Sequence, residues 1–181
     1  MMELTVYQDL YKKVLDAGYG DEIVWQESLK PCDNADEFVR QYIWVVINSG
    51  MKNQIARLIE ERIYKALGEG RDISEVFHHK GKIDAIKGMI LHGKVSYNEW
   101  AKAEDKIERL ASLPYIGDIT KWHLAKNLGV DCVKPDRHLV RIAEKYRTTP
   151  NELCASIAKQ TGQRKATVDL VIWRAANLGF I

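Results

Sequence analysis

The chain has 181 residues, of which 46% are hydrophobic and 29% charged, and its formal net charge is only +2. This size and apolar content allow a buried core without disulfides or metal ions as cross-links. No run of about 18 apolar residues is present, which argues against a membrane-spanning helix. Because the first residues also lack the basic and then apolar layout of a signal peptide, we expect a cytoplasmic protein.

Cysteine and histidine spacing does not indicate a metal site. Cys32, Cys132 and Cys154 are dispersed singly, and an odd number without Cys-x-x-Cys spacing argues against both a disulfide framework and structural zinc. The adjacent pair His78 and His79 is typical of a solvated loop. We therefore expect no metal ligand set.

Charge is distributed unevenly along the chain. Residues 119–181 contain 11 Lys and Arg against 5 Asp and Glu, whereas residues 1–118 contain 16 against 20. A basic half of this kind can face a phosphate backbone. A solvated helical surface has the same composition, so charge alone does not identify a partner.

Helical periodicity recurs along the whole chain and strand patterns are nearly absent, which predicts an all-α fold of nine or ten helices. Residues 5–17 carry an apolar stripe, and residues 36–49 contain a run that is apolar on every side, Tyr42–Ile47, as expected of a central buried helix. The next helix, roughly residues 52–67, is expected to turn one apolar face inward. That face consists of Ile55, Leu58, Ile59, Ile63 and Ala66.

Capping residues place the later helices. A helix near residues 81–92 is expected to end before Gly93, and a new one begins with the capping box Ser-Tyr-Asn-Glu and covers 96–112. The sequence Thr-Pro-Asn-Glu at 149–152 predicts another helix start. The final helix is predicted over residues 163–178.

The segment from Glu108 to Gly129 has the pattern of two helices joined by a tight turn, Leu-Pro-Tyr-Ile-Gly. Gly117 is expected to leave the backbone N–H groups that follow it unpaired at the start of the second helix. Such groups suit a DNA phosphate, which they contact without reading the base sequence. A plain helix–helix connection has the same pattern, and Asp118 fits a helix cap better than a phosphate contact.

Asp136 follows that second helix, next to Pro135 and 18 residues after Asp118. A carboxylate at a helix start is ordinarily an N-cap. A hairpin followed at this spacing by an aspartate next to a proline also resembles the motif of the helix-hairpin-helix (HhH-GPD) DNA glycosylase superfamily. That motif consists of the hairpin, a Gly/Pro-rich loop and an aspartate.

Three segments carry the resemblance. The hairpin of the superfamily resembles LPYIGDITKWHLAKNLG, and its aspartate loop with the following helix is similar to VKPDRHLVRI. Its buried helix leading to a base-wedging loop resembles FVRQYIWVVINSGMKNQIARLI. The resemblance implies one HhH-GPD-like domain over residues 1–181, a two-lobed helical fold with the active-site cleft between the lobes. The first lobe would span about 35–133 with the hairpin at 108–129, and the second about 1–34 and 134–181.

Carried over to these positions, the resemblance makes Asp136 the catalytic carboxylate. The backbone after Gly117 would hold a phosphate, and Met51 would enter the base stack from the loop 49–53. The DNA-contacting candidates are Gly117, Ile119, Thr120, Lys121, Met51, Lys52, Lys134, Arg137 and His138.

Flipped bases favour aromatic faces, and the helices offer several. The pocket candidates are Trp25, Tyr42, Trp44, Trp122, Asp169 and Trp173. Each aromatic residue has core packing as its other explanation. Asp169 can meet a base edge from the last helix, and it equally fits an ordinary carboxylate on a helix surface.

Departures from the family pattern bear on the reaction. Relatives that also cut the strand carry a lysine two residues after the last hairpin glycine, where this chain has Ile119. The resemblance therefore implies base removal without strand cleavage. Lys121 and Lys134 lie nearby but outside that position, and the sequence leaves open whether either contributes. Tyr115 replaces a common glycine in the hairpin, and the four-cysteine iron–sulfur loop of many relatives has no counterpart.

The resemblance predicts a monofunctional DNA N-glycosylase that removes a flipped modified, damaged or mismatched base in base-excision repair. Asp136 would stabilise the sugar cation and activate water. The first alternative is a base-modifying transferase on the same scaffold, which displaces pyrophosphate from an activated hydroxymethyl pyrimidine with an amine or amino acid. A carboxylate that binds the amine, such as Asp169, would favour it. The second alternative is a non-catalytic helix-hairpin-helix DNA-binding module.

The implied partner is double-stranded DNA, bound by a monomer of prokaryotic or phage origin without membrane contact. No cofactor is required and no iron–sulfur cluster is expected, although the resemblance allows a monovalent cation at the hairpin. The sequence does not identify the base.

Overall fold

A computed structural model of the chain describes residues 2–181. In this part of the chain, ten α-helices and one short 3₁₀ turn (Ile73–Glu75) form, without a β-strand, so the prediction of an all-α fold is confirmed. None of these helices is long and apolar enough to cross a membrane. The helices are α1 (Leu4–Asp16), α2 (Gly20–Ser28), α3 (Ala35–Asn48), α4 (Asn53–Gly68), α5 (Lys80–Lys102), α6 (Lys106–Ala111), α7 (Thr120–Asn127), α8 (Arg137–Lys145), α9 (Pro150–Thr161) and α10 (Lys165–Asn177).

The chain divides into two compact units. Unit 1 combines Met1–Pro31 with Ala125–Ile181, and unit 2 is the continuous segment Cys32–Leu124. One boundary lies between Pro31 and Cys32. The other lies between Leu124 and Ala125, inside α7. The N-terminal and C-terminal helices therefore belong to the same unit.

The core of unit 1 is built around α10, which packs against α1, α2, α8 and α9. Apolar side chains at helical spacing explain this arrangement, because Tyr7, Leu10 and Val14 place one face of α1 in the core. The Tyr7 hydroxyl donates to Gln163 Oε1 at 2.7 Å, which satisfies its only polar group. The predicted start of α9 is confirmed, since Thr149 and Glu152 form a reciprocal capping box.

The core of unit 2 is built around α3, which packs against α4 and α5. The prediction of a buried α3 is confirmed, although Trp44 is only partly buried. The predicted inward face of α4 is partly wrong, because Ile55 and Leu58 are each 49% exposed. The buried face includes Ala56, Ile63 and Ala66. At its N-terminal end it contains Ala56 in place of the predicted Ile55. Two alanines on this face allow closer helix packing than leucine would.

The predicted helix boundary at Gly93 is wrong. Residues 80–102 form one continuous helix of 23 residues, so the sequence Ser-Tyr-Asn-Glu lies inside α5 and caps nothing. Gly93 has a packing role instead. A Cβ built on it would lie 2.1 Å from Val39 Cγ2, a distance at which the two helices α3 and α5 cannot pack as they do.

This close contact leads to a prediction. Gly93→Ala is expected to destabilise the protein by about 1–3 kcal/mol, although alanine has the higher helix propensity, because the added methyl group overpacks the α3–α5 contact. Urea unfolding of the purified variant measures the loss. Val39→Ala removes the atom that the methyl group meets, so adding it to Gly93→Ala should cost less than the sum of the two single changes. Simple additivity would contradict the packing role.

Candidate functional site

The loop that carries Asp136 connects α7 to α8 and is held in place along its length. Gly129 begins it with φ +81°, and a Cβ there would lie 2.2 Å from the Lys30 carbonyl oxygen, so only glycine fits. Arg164 Nη2 donates to the Gly129 carbonyl at 2.8 Å. The Ala166 backbone N–H donates to Asp131 Oδ1 at 2.9 Å. The first half of the loop is thereby tied to the start of α10.

Asp169 holds the second half of this loop. It is 2% exposed, and its Oδ2 accepts from Lys126 Nζ at 2.8 Å and from the Lys134 backbone N–H at 2.7 Å. Burial raises the pKa of Asp169, while the Lys126 ammonium and these hydrogen bonds act in the opposite direction. The alternative that placed Asp169 on a helix surface is wrong. Its oxygen fixes the backbone two residues before Asp136.

Asp136 is the N-cap of α8. Its Oδ1 accepts from the backbone N–H groups of His138 at 3.0 Å and Leu139 at 3.1 Å. Its other oxygen, Oδ2, accepts no hydrogen bond from residues 2–181 and is not among the buried polar atoms. The positive end of the α8 dipole stabilises a negative charge at this position. The N-cap explanation and the catalytic explanation thus use different oxygens of one carboxylate.

This geometry defines what Asp136 can do chemically. The bonds to Oδ1 fix the plane of the carboxylate, and Oδ2 stays accessible for a cationic centre or a water molecule. Neighbouring DNA-contact candidates lie on the same segment: Arg137 is exposed, and His138 and Lys134 are partly buried. No group of three or more His, Cys, Asp or Glu side chains in residues 2–181 is arranged to hold a metal ion.

The hairpin comprises α6, the turn 112–119 and α7, and its turn has the expected unpaired donors. Within the described part of the chain, no acceptor binds the backbone N–H groups of Asp118, Ile119 and Thr120. Gly117 differs, because its own N–H donates to Thr120 Oγ1 at 2.7 Å. The donors that remain for an anion are thus the three after Gly117, at the N-terminus of α7.

Lys121 and Ile119 of the hairpin do not form a cationic patch. Lys121 Nζ lies 2.6 Å from Glu108 Oε1, and hydrogen bonding to Glu108 raises the pKa of Lys121. Its charge is therefore already partly compensated. Ile119 is exposed, so the position at which strand-cutting relatives carry lysine presents an aliphatic side chain here.

Tyr115 adopts φ +64°, a left-handed conformation that favours glycine. The sequence pattern gave only the replacement of a common glycine at this position. Contacts to the start of α5 hold the tyrosine, because its hydroxyl is 3.1 Å from His79 Nε2. A Cβ on Gly81 would lie 3.0 Å from the Tyr115 ring, so the glycine makes room for it. The turn thus has the backbone shape of a glycine turn without the glycine.

The wedge-candidate loop 49–53 follows α3, and Gly50 turns the chain there with φ +69°. Met51 is partly buried, and Lys52 is exposed at the N-cap of α4. The loop is anchored by Lys82, a residue that sequence reasoning missed. Lys82 is 3% exposed, and its Nζ donates to the carbonyl oxygens of Ile47 at 2.8 Å and Ser49 at 2.6 Å.

Sequence did carry a signal for Lys82. It lies four residues before the buried Ile86 and seven before the buried Met89, so a lysine occupies the apolar stripe of α5. A lysine in such a position must find acceptors, and unpaired carbonyl groups at a helix C-terminus are available ones. Burial lowers the pKa of Lys82, since no carboxylate compensates its charge.

Lys82→Met is expected to lower the free energy of unfolding by about 1–3 kcal/mol, because two carbonyl groups lose their donor. The pH dependence has a definite sign. The folded-state pKa lies below the ordinary 10.5, so between these values only the unfolded chain binds the proton, and stability rises with pH. Urea unfolding at several alkaline pH values should show a slope in the wild type that is reduced in the variant. Equal slopes would contradict this account.

The aromatic pocket candidates occupy diverse surroundings. Tyr42 is fully buried and its hydroxyl donates to the Pro114 carbonyl at 2.5 Å, so the structure gives it a core role instead of a pocket face. Trp25 is exposed on α2, whereas Trp122 is partly buried on α7. Cations cover the rings of two others. The guanidinium of Arg57 lies 5.0 Å from the Trp44 ring centroid, and that of Arg174 lies 4.7 Å from the Trp173 ring centroid.

Comparisons with family models, with curated proteins and with solved structures found no match to this chain.

Proposed function

We propose that this protein is a monofunctional DNA N-glycosylase, which removes a modified, damaged or mismatched base and uses Asp136 as its catalytic carboxylate. The observation that carries the proposal is that the two oxygens of that carboxylate have different surroundings. Oδ1 is bound by the two N–H groups at the start of α8, and Oδ2 is accessible and without a partner among residues 2–181. A cap that served only the helix would not need a separately braced loop.

Breaking an N-glycosidic bond builds positive charge on the deoxyribose. A fixed carboxylate oxygen near C1′ stabilises that charge and can orient or deprotonate the attacking water. Preorganisation matters here because the reacting geometry must be held closely. The bonds from Arg164 to Gly129, from Ala166 to Asp131 and from Lys134 to Asp169 supply it for the loop of Asp136.

DNA binding in this proposal begins at the hairpin. The unpaired N–H groups of Asp118, Ile119 and Thr120 suit a phosphate oxygen, and the contact is independent of base sequence. A base must leave the stack before its glycosidic bond can be reached, and Met51 is the apolar side chain proposed to fill the gap.

The test uses a panel of duplexes that each carry one altered base, among them alkylated purines, uracil and thymine mismatches, 8-oxoguanine and hydroxymethyl pyrimidines. After incubation with the protein, half of each sample is heated in alkali, which breaks the strand at abasic sites. We expect one lesion class to give alkali-dependent breaks. An intact strand for every lesion, despite measurable DNA binding, would contradict the proposal.

A further inference from the structure

The outward side of α5 is a feature that the proposed function does not use. The opposite side of this helix packs against α3 and α6 and buries Ile86, Met89 and Trp100. Six exposed residues follow one another along the outward side in alternating steps of four and three. They are Asp84, Gly88, Leu91, Val95, Asn98 and Lys102, which together we call the α5 seam. This spacing is that of the contact positions a and d of a coiled coil.

Apolar side chains occupy the middle of the α5 seam. Leu91 is 76% exposed, more than any other large hydrophobic side chain in residues 2–181, and Val95 is 58% exposed. A Cβ built on Gly88 would meet no atom within 4 Å, so a side chain from another molecule has room to approach there. Apolar residues at positions a and d of an exposed helix face are typical of a surface that a second helix covers.

Lysines surround these apolar residues. The four on the outward side of α5 are Lys80, Lys87, Lys94 and Lys102, and all are exposed. Lys87 is bound to Asp72 at 2.6 Å. The other three form no salt bridge with any residue from 2 to 181. Because Asp84 is the one acidic residue of the α5 seam, this face presents a net positive charge to a partner.

We propose that the α5 seam binds an acidic amphipathic helix of a partner protein. The apolar stripe of that helix covers Leu91 and Val95. Its carboxylates face Lys87 and Lys94, which precede Gly88 and Val95 and therefore occupy a flanking position of the coiled-coil pattern. Charges at flanking positions determine which partner a helix accepts, so the lysines select an acidic one. This inference does not depend on the proposed function.

The charges of the α5 seam argue against two other occupants. A second copy of this chain would bring the same lysines. In a parallel pair Lys102 would face Lys102, and in an antiparallel pair the edges that carry Lys87 and Lys94 would face each other. A DNA backbone would leave Leu91 and Val95 without apolar contacts, because phosphate groups attract the cationic side chains only.

Fluorescence anisotropy tests the proposal with two designed helical peptides of roughly three heptads, both with leucine at positions a and d. One peptide carries glutamate at the flanking positions and the other carries lysine. We expect the wild-type chain to bind the glutamate peptide and not the lysine peptide. The double variant Leu91→Gln with Val95→Gln should bind it about tenfold more weakly or worse, because less apolar surface is buried. Leu58→Gln changes a 49% exposed leucine of α4 and should bind like the wild type.

Lys94→Glu separates charge from apolar contact. It should weaken binding of the glutamate peptide and allow the lysine peptide to bind, and thermal unfolding should be unchanged because the residue is exposed. The proposal would be overturned if the wild type bound neither peptide or both equally. It would equally fail if the Leu91 and Val95 double variant bound the glutamate peptide as the wild type does.

Sedimentation and DNA binding of the same double variant test the two other occupants. We expect a monomer before and after the substitutions, and an unchanged affinity for duplex DNA. A wild-type dimer that the double variant no longer forms would assign the α5 seam to a second copy. A lower DNA affinity of the double variant would assign it to nucleic acid. Either result would overturn the proposal of an acidic helical partner.

Discussion

Asp136→Asn is expected to slow base release by about 10³-fold or more, while the protein stays folded and still binds DNA. Asparagine is as good an N-cap as aspartate, so its side-chain oxygen can keep the bonds to the His138 and Leu139 N–H groups. It has no negative charge, however, and cannot stabilise the sugar cation or accept a proton from water. Single-turnover base release, DNA affinity and thermal unfolding together measure this separation.

Asp105 provides a matched control for that variant. It is the N-cap of α6, and its Oδ1 accepts from the N–H groups of Ile107 at 3.0 Å and Glu108 at 2.9 Å, the same pattern as at Asp136. Asp105→Asn should have the same small effect on helix stability and leave base release unchanged. If Asp136→Asn were no slower than Asp105→Asn, Asp136 would be a cap and nothing more.

Asp169→Ala is expected to lower the free energy of unfolding by about 3–5 kcal/mol, since it leaves the Lys126 ammonium buried without its partner. The Lys134 N–H loses its acceptor in the same variant. This is a large fraction of the stability of a typical domain, so the midpoint in urea should fall markedly. Base release should also slow under conditions where the variant remains folded, because the loop of Asp136 loses its support.

A double variant distinguishes the buried charge from lost packing. Lys126→Met combined with Asp169→Leu replaces both partners by apolar side chains, and it should recover much of the stability that Asp169→Ala loses. Recovery of stability without recovery of base release would show that Asp169 also positions the loop. A double variant as unstable as Asp169→Ala would contradict the explanation by an unpaired charge.

Local patterns in the sequence were sufficient for much of the helical structure. The Thr149–Glu152 capping box forms as predicted, and the apolar run Tyr42–Ile47 lies in the buried α3. Both signals act within a few residues, where side chain and backbone determine the outcome together. The hairpin donors at residues 118–120 are likewise a local consequence of a helix start.

Predictions failed where a distant contact decides the conformation. Gly93 and the Ser-Tyr-Asn-Glu sequence are ordinary local signals for a helix end and a helix start, yet α5 continues through both. The reason is Val39, which packs so closely that only glycine fits at the crossing. A local propensity of about 1 kcal/mol is outweighed by packing along a 23-residue helix.

The residues that hold the candidate site in place could not be predicted from local sequence patterns either. Asp169 is 43 residues from Lys126 and 35 residues from Lys134, whose backbone N–H donates to it. Lys82 is more than 30 residues from both carbonyl groups to which it donates. A charged residue on an apolar helix stripe indicates that some partner is needed. It does not indicate which segment provides that partner. The candidate carboxylate was thus predictable from sequence, and the residues that brace it were not.

The central claim is that this protein breaks the bond between a base and its sugar, and detection of the free base tests it most directly. The wild type is incubated with the pooled lesion duplexes, the mixture is filtered, and the small molecules are identified by mass spectrometry. We predict a single class of free altered base in the filtrate of the wild type and none from Asp136→Asn. A filtrate without any base, with the DNA unchanged or gaining mass at a pyrimidine, would contradict the assignment.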